Sequence, residues 1–280
     1  MRFGVLAHDL KKGTAAEVAA TVASYGLQFV QLALAKALTD VDSSLGRLST
    51  GLANHIAEAF ERERVRISVL GCYINPIDPD PAARRYAIDR FKEHIRYARD
   101  FGASLVATET GNVADYRKAR PDATDDELWQ LLRSAVEEMA EEAERWGVHV
   151  GIEASPTEVI HTSDLMARLL EEVPSRNIGV VFDPCHLLNA QNIGRQREVL
   201  DRAFEQFGDR IVLGHVKDLA FDEAGVKRYV KMGTGELDYP YFLGRLQKLK
   251  PHLNLSFEGG IKPDHVADSI AYLQGVLKSL

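Results

Sequence analysis

Residues 148–153 read Val-His-Val-Gly-Ile-Glu, residues 178–183 read Ile-Gly-Val-Val-Phe-Asp, and residues 253–258 read Leu-Asn-Leu-Ser-Phe-Glu. All three stretches are short, rich in β-branched or aromatic residues, and end in a carboxylate. Val148, Val150 and Ile152 recur at every second position, as do Ile178, Val180 and Phe182, and Leu253, Leu255 and Phe257. A period of two is that of a β-strand, and it puts Glu153, Asp183 and Glu258 on the face opposite the apolar set.

Working outward, five more runs of the same kind appear: Phe3–Ala7, Leu27–Leu32, Ile67–Leu70, Leu105–Thr108 and Ile211–Val216. Eight amphipathic stretches alternate with these eight runs: 15–24, 52–64, 82–99, 126–146, 163–172, 196–207, 241–249 and 264–277. Gly26, Gly102 and Gly147 sit where a helix should stop before a strand, and Pro81, Pro240 and Pro263 fall at helix starts. Strands alternating with helices imply a parallel sheet with crossover connections. Eight such units in a chain of 280 residues predict a single (β/α)8 TIM barrel occupying residues 1–280 as one domain. An open doubly wound sheet commonly carries a Gly-rich turn after its first strand; here that strand runs into Ala7-His8-Asp9-Leu10. The longest candidate loops, Asp115–Asp126 and Lys217–Asp238, both follow strands, the side on which barrels build binding loops.

Composition narrows the function. The net charge is −7, from 34 Lys and Arg against 41 Asp and Glu, which argues against nucleic acid as a partner. No apolar run approaches the roughly 18 residues of a membrane span, and the N-terminus lacks the core of a signal peptide. Cys72 and Cys185 are too few for a disulfide framework and suit a reducing cytoplasm. The acidic run from Glu137 to Glu144 reads as a solvated helix face.

The chemistry is concentrated at four consecutive strand ends: Glu153, Asp183, His215 and Glu258, spaced by 30, 32 and 43 residues. Adjacent strands lie roughly 4.8 Å apart, so neighbouring strand ends can converge on one ion. Strand parity turns the three carboxylates into the barrel mouth; the seventh strand is ambiguous, because Ile211 and Leu213 share the phase of His215. Clustered carboxylates repel each other and lose hydration, so a cation is the natural compensation. Three carboxylates and one imidazole form a hard donor set that favours one divalent ion, Mn2+ first, with Mg2+, Co2+ or Zn2+ as alternatives. Four protein donors leave coordination positions for water or substrate oxygens.

These residues, with Pro184-Cys185-His186 after Asp183, Lys217-Asp218 after His215, Gly233-Thr-Gly-Glu236 before Tyr239, and Gly-Gly after Glu258, resemble the xylose isomerase-like TIM barrels, and within them the sugar phosphate isomerase/epimerase family. The layout of nearly the whole chain takes part, while the specific motifs lie in its second half. The resemblance implies one metal held by Glu153, Asp183, His215 and Glu258, with Glu153 and Glu258 as an acid/base pair across a bound sugar. It implies substrate contacts from His186, and Lys217 could place a cation over a substrate oxygen, carboxylate or phosphate. It also allows a homodimer.

Two departures bear on the substrate. Ketose 3-epimerases of the family carry an arginine six residues after the histidine ligand, where this chain has Phe221; their second glutamate comes six residues after the first, whereas Glu158 comes five after, across Pro156. Gly233–Tyr239 resembles isomerases of small hydroxy-oxo acids, and His215–Asp218 resembles inosose dehydratases. The apurinic-site endonuclease branch uses extra histidines for three zinc ions; here the third and fourth strand ends offer Cys72, Tyr73 and Glu109.

The reaction expected of such a site is proton abstraction beside a metal-bound carbonyl, through an enediolate. Returning the proton to the same carbon epimerises, and returning it to the next carbon isomerises. Loss of a β-hydroxyl makes the same site a dehydratase, and a non-catalytic carbohydrate-binding barrel is the third reading. His8, Asp9, Asn75 and Glu109 are candidate mouth residues, Cys185 reads as packing, Trp129 and Trp146 as core, and His161 and His265 have no evident partner.

Overall fold

The computed structural model describes residues 1–259 and 261–280; Gly260, the last glycine of the Glu258-Gly-Gly step, lies outside the described residues. The strands are β1 (Arg2–Leu6), β2 (Phe29–Leu32), β3 (Arg66–Gly71), β4 (Leu105–Thr108), β5 (His149–Glu153), β6 (Ile178–Phe182), β7 (Ile211–Val216), β8 (Asp218–Phe221), β9 (Lys227–Val230) and β10 (Asn254–Phe257). β1 to β7 and β10 pair in parallel and close into a barrel, β10 joining β1 from Arg2–Asn254 to Val5–Phe257. Helices occupy all eight predicted connections, so the (β/α)8 expectation holds.

Local chemistry explains the alternation. The helix Asp125–Trp146 starts at Thr124, whose side chain accepts from the Glu127 amide, with acidic Asp125, Asp126 and Glu127 in its first turn. It ends at Gly147, which adopts φ 62°, a left-handed conformation that glycine enters without penalty. β5 begins two residues later.

The barrel separates two apolar layers. The predicted outward sets of β5, β6 and β10 pack with the helices in the main core. Inside the barrel Phe29, Val69, Leu105, Ala107, Val181 and Leu213 form their own cluster. Gly4 makes room for it: a Cβ there would lie 2.5 Å from the Phe29 ring. The interior is a packed floor beneath the strand ends. β7 gains one residue against β6, with Val180 opposite Ile211 but Val181 opposite Leu213. This bulge turns Ile211 to the outer core and Leu213 to the inner cluster, so the phase His215 shares with Leu213 points inward.

Three expectations are corrected. The segment Lys217–Asp238 is not plain loop, because β8 and β9 form an antiparallel hairpin within it, from Asp218–Val230 to Phe221–Lys227. Trp129 is buried, but Trp146 is 45% exposed: it lies in the last helical turn, and its indole donates to Glu142. Glu142 itself leaves the solvated face, buried between Trp146 and the Arg96 guanidinium at 2.6 Å. In addition, the stretch after β4 contains a short helix, Val113–Ala119. Among the described residues no helix is long and apolar enough to cross a membrane.

Candidate metal centre

The four predicted donors converge. Glu153 is the last residue of β5, Asp183 follows β6, His215 lies in β7 and Glu258 follows β10. Each offers one ligand atom, and these atoms all lie within 4.8 Å of one another. Glu153, Asp183 and His215 are buried and Glu258 is partly exposed, so the cluster sits just under the mouth.

His215 stands between the two glutamates: its Nδ1 is 3.0 Å from Glu153 Oε1 and 2.7 Å from Glu258 Oε2. Burial disfavours a charged ring, yet these two carboxylates outweigh it and raise the imidazole well above its ordinary range. Burial also opposes charge on Glu258, but His215 and Lys217 hold its carboxyl well below the usual range. Glu153 moves the other way, raised by burial and by the neighbouring Glu258 charge. Asp183 Oδ1 accepts from the Cys185 amide at 2.8 Å, capping the turn Pro184–Leu187. Its Oδ2 is buried without a well-directed hydrogen bond, although Lys217 Nζ lies 2.7 Å away as an ion pair. Against burial, His186 and Lys217 keep Asp183 below its ordinary value.

Lys217 is buried in the same cluster, with Nζ 3.2 Å from Glu258 Oε2 and 2.8 Å from His186 Nε2. His186 donates from Nδ1 to the Ala154 carbonyl at 2.8 Å, which leaves Nε2 to accept from the ammonium. His186 and Lys217 therefore lie against the four donors. The backbone of Lys217 is pinned from behind: its carbonyl accepts from Tyr239 Oη at 2.9 Å and from Cys185 Sγ at 3.0 Å. Cys185 is thus a packing residue, its thiol pushed far up by burial and by Asp183.

The loop after β7 walls this side of the mouth. Tyr229 of β9 lies over the Lys217 ammonium at 4.7 Å, and Lys227 donates to the Cys185 carbonyl at 2.7 Å. The Asp218 carboxylate accepts from the amides of Leu219, Gly233, Gly235 and Leu237 at 2.9 to 3.4 Å. A Cβ on Gly235 would collide with the Asp218 carboxylate and the Leu219 carbonyl. The Gly-Thr-Gly-Glu step is accordingly a loop wrapped around Asp218.

Glu158 stands apart. Among the described residues no hydrogen bond or ion pair joins it to the four donors. It lines a cleft of about 1140 Å³ with Val113, Arg117, Trp129, His161 and Arg168. Burial and the nearby Glu109 raise its carboxyl to about 7. Of the other mouth candidates, Asp9 accepts from the Gly259 amide at 2.9 Å, tying the ends of β1 and β10 together, and Asn75 accepts from the Ile77 amide at 3.3 Å. His161 does have a partner, the Glu158 carbonyl at 3.1 Å from its Nδ1.

Sequence reasoning missed Gln31. Its Oε1 lies 3.0 Å from His215 Nε2, and its Nε2 lies 2.9 Å from Tyr73 Oη. The available signal was a lone polar residue sharing the inward phase of Phe29 in Phe29–Leu32.

The donor set fits one divalent ion. With His215 neutral, three carboxylates against the Lys217 ammonium leave a charge of −2 inside a largely buried cluster, which a dication cancels. The donors are carboxylate oxygens and an imidazole nitrogen, and Asp183 Oδ2 awaits a directed partner.

A family model described as xylose isomerase-like TIM barrel matches residues 19–276, and the chain belongs to that family. An uncharacterized protein of Methanocaldococcus jannaschii is 22% identical over 234 residues, spanning 80% of this chain and 73% of its own length. Among solved structures, the 3-keto-D-glucoside 4-epimerase of E. coli superposes with a TM-score of 0.76 at 15% identity, over 98% of this chain and 99% of the epimerase. A xylose isomerase-like TIM barrel protein from Mycobacterium smegmatis in complex with magnesium gives 0.76 at 17% identity, over 100% and 96% of the two chains. At these identities the likeness is one of fold.

Proposed function

We propose that this chain is a metal-dependent isomerase or epimerase of a small sugar, sugar phosphate or keto acid, working as one domain over residues 1–280. The observation that carries the reading is the convergence of Glu153, Asp183, His215 and Glu258 within 4.8 Å at the C-terminal ends of four barrel strands. Membership of the family and the fold shared with a sugar epimerase support it. The hard donor set favours Mn2+, with Mg2+, Co2+ or Zn2+ as substitutes, and a magnesium-bound relative of the same fold agrees with a hard cation. Buried, unpaired Cys72 and Cys185 suit a reducing cytoplasm.

Held by Glu153, Asp183, His215 and Glu258, a divalent ion would polarise a substrate carbonyl and so ease loss of the neighbouring proton. The chain's own residues do the rest. Glu153 and Glu258 approach from strands on either side of His215, so one can take the proton and the other return one. His186 Nε2 and Lys217 Nζ present a polar pair to substrate oxygens, with the hydrogen bond to Ala154 and the Tyr239 contact holding them in place. The β8–β9 hairpin walls one side of the mouth through Tyr229 and Lys227, while Glu158, in its separate cleft, takes no part in the proton transfer.

The experiment is solvent exchange. Mn2+-loaded protein in D2O, screened against ketoses, keto acids and inososes, should place deuterium on the carbon next to a carbonyl. Glu153→Gln and Glu258→Gln should each lower that rate by roughly 10² to 10⁴ with an unchanged far-UV spectrum. A product lighter by one water assigns a dehydratase, and sugar binding with no exchange assigns a binding protein. Full exchange in both variants overturns the proposal.

A further inference from the structure

We infer that Gln31, braced by Tyr73, is the positioning residue that presents His215 to the ion through Nδ1; this rests on the metal-centre reading above. A neutral imidazole carries one N–H, and the nitrogen without it is the donor. In His215 the ring nitrogen beside the other donors is Nδ1, 3.0 and 2.7 Å from the glutamate oxygens, so an ion held among them meets Nδ1 as the bare nitrogen and leaves the proton on Nε2. Nε2 meets Gln31 Oε1 at 3.0 Å. An amide could present either of its ends; the Nε2–H of His215 calls for the oxygen, and Gln31 Nε2 then donates to Tyr73 Oη at 2.9 Å, which holds that orientation.

The backbone is arranged for the same purpose. The register of β2 against β3 shifts between Val30 and Gln31, so that Gln31 lies opposite Val69 of the inner cluster. Gln31 is only 1% exposed, and its amide hydrogen-bonds at both ends. Partners of this kind fix the tautomer and ring orientation of a metal-ligating histidine and make it a better donor; their loss typically lowers metal affinity by 10- to 100-fold.

The test uses Co2+ as the probe, with wild type, Gln31→Leu and Gln31→Glu. Gln31→Leu should weaken Co2+ binding by roughly 10- to 100-fold, whereas Gln31→Glu, which still accepts from Nε2–H while Tyr73 donates to its other oxygen, should stay near the wild-type Kd. Proton NMR of the Co2+ forms gives a second readout that overall stability does not move. A paramagnetically shifted, exchangeable Nε2–H resonance of His215 should be present in wild type and Gln31→Glu and lost to solvent exchange in Gln31→Leu. If Gln31→Leu does not fold, Tyr73→Phe, which frees the amide to rotate, should broaden the same resonance and weaken Co2+ binding. Wild-type affinity and an unchanged resonance in Gln31→Leu, or in Tyr73→Phe where that variant takes its place, overturn the inference and leave the metal centre standing. Co2+ binding by wild type no tighter than by Asp183→Ala overturns the metal centre and the inference with it.

Discussion

Replacing Lys217 with methionine keeps most of the apolar stem and deletes an ammonium that lies 2.7 Å from Asp183 Oδ2 and 3.2 Å from Glu258 Oε2. Both carboxylates then lose a buried counter-charge, a change that typically costs about 3–5 kcal/mol. At roughly 2–4 °C per kcal/mol for chains of this order of size, Tm in EDTA should fall by roughly 6–20 °C. The same two carboxylates belong to the candidate donor set, so a divalent ion supplies the charge that the variant lacks. If saturating Mn2+ restores about half of the loss, linkage requires the ion to bind the variant roughly 10- to 70-fold more tightly than wild type. Calorimetric scans in EDTA and in Mn2+, with a titration for Kd, measure both sides of that cycle. An equal Tm deficit in both conditions and an unchanged Kd would refute the reasoning, because Lys217 and the ion would then not share carboxylates.

Two further outcomes follow from other parts of the molecule. Asp218→Ala removes the acceptor of four backbone amides; protection of Gly233 and Gly235 against hydrogen exchange should drop by about tenfold or more, and unchanged protection would show that the loop holds itself. Burial keeps His94 neutral, lowering it to about 4, and its Nε2 has no partner among the described residues. The unfolded chain takes up this proton below its ordinary 6.5 while the folded chain resists it down to about 4, so His94 removes stability as pH falls through that window, up to about 3 kcal/mol. Denaturant titrations at pH 7 and pH 4.5 should therefore show a smaller acid loss in His94→Leu than in wild type. An equal loss in both would remove His94 from the account.

The parts of this site readable in the sequence are those governed by local periodicity. Glu153, Asp183 and Glu258 close strands whose apolar sets have a period of two, so their direction followed from position alone. His215 did not yield to that rule because the extra residue of β7 reverses Ile211, and a bulge is a property of two strands together. Gln31 was hidden for a similar reason: its partners lie 42 and 184 positions away, and a lone glutamine in an apolar run has no local pattern. The β8–β9 hairpin escaped because neither strand has an apolar face of period two: β8 passes from buried Asp218 and Leu219 to half-buried Ala220 and Phe221, and in β9 half-buried Lys227 and Val230 flank exposed Arg228 and Tyr229. Glu142 and Trp146 exchanged places relative to the helical pattern through one indole–carboxylate contact, backed by Arg96 from a neighbouring helix.

Phe29, Val69, Leu105, Ala107, Val181 and Leu213 plug the barrel below the donors. A plugged barrel is a cul-de-sac. Whatever enters past the β8–β9 hairpin leaves by the same doorway, so a finished molecule has to back out before the next one can enter. Congestion at that doorway, rather than bond-making at its far end, would then throttle the catalyst proposed above, and changes at Lys227, which holds the hairpin to the Cys185 carbonyl, would alter that traffic.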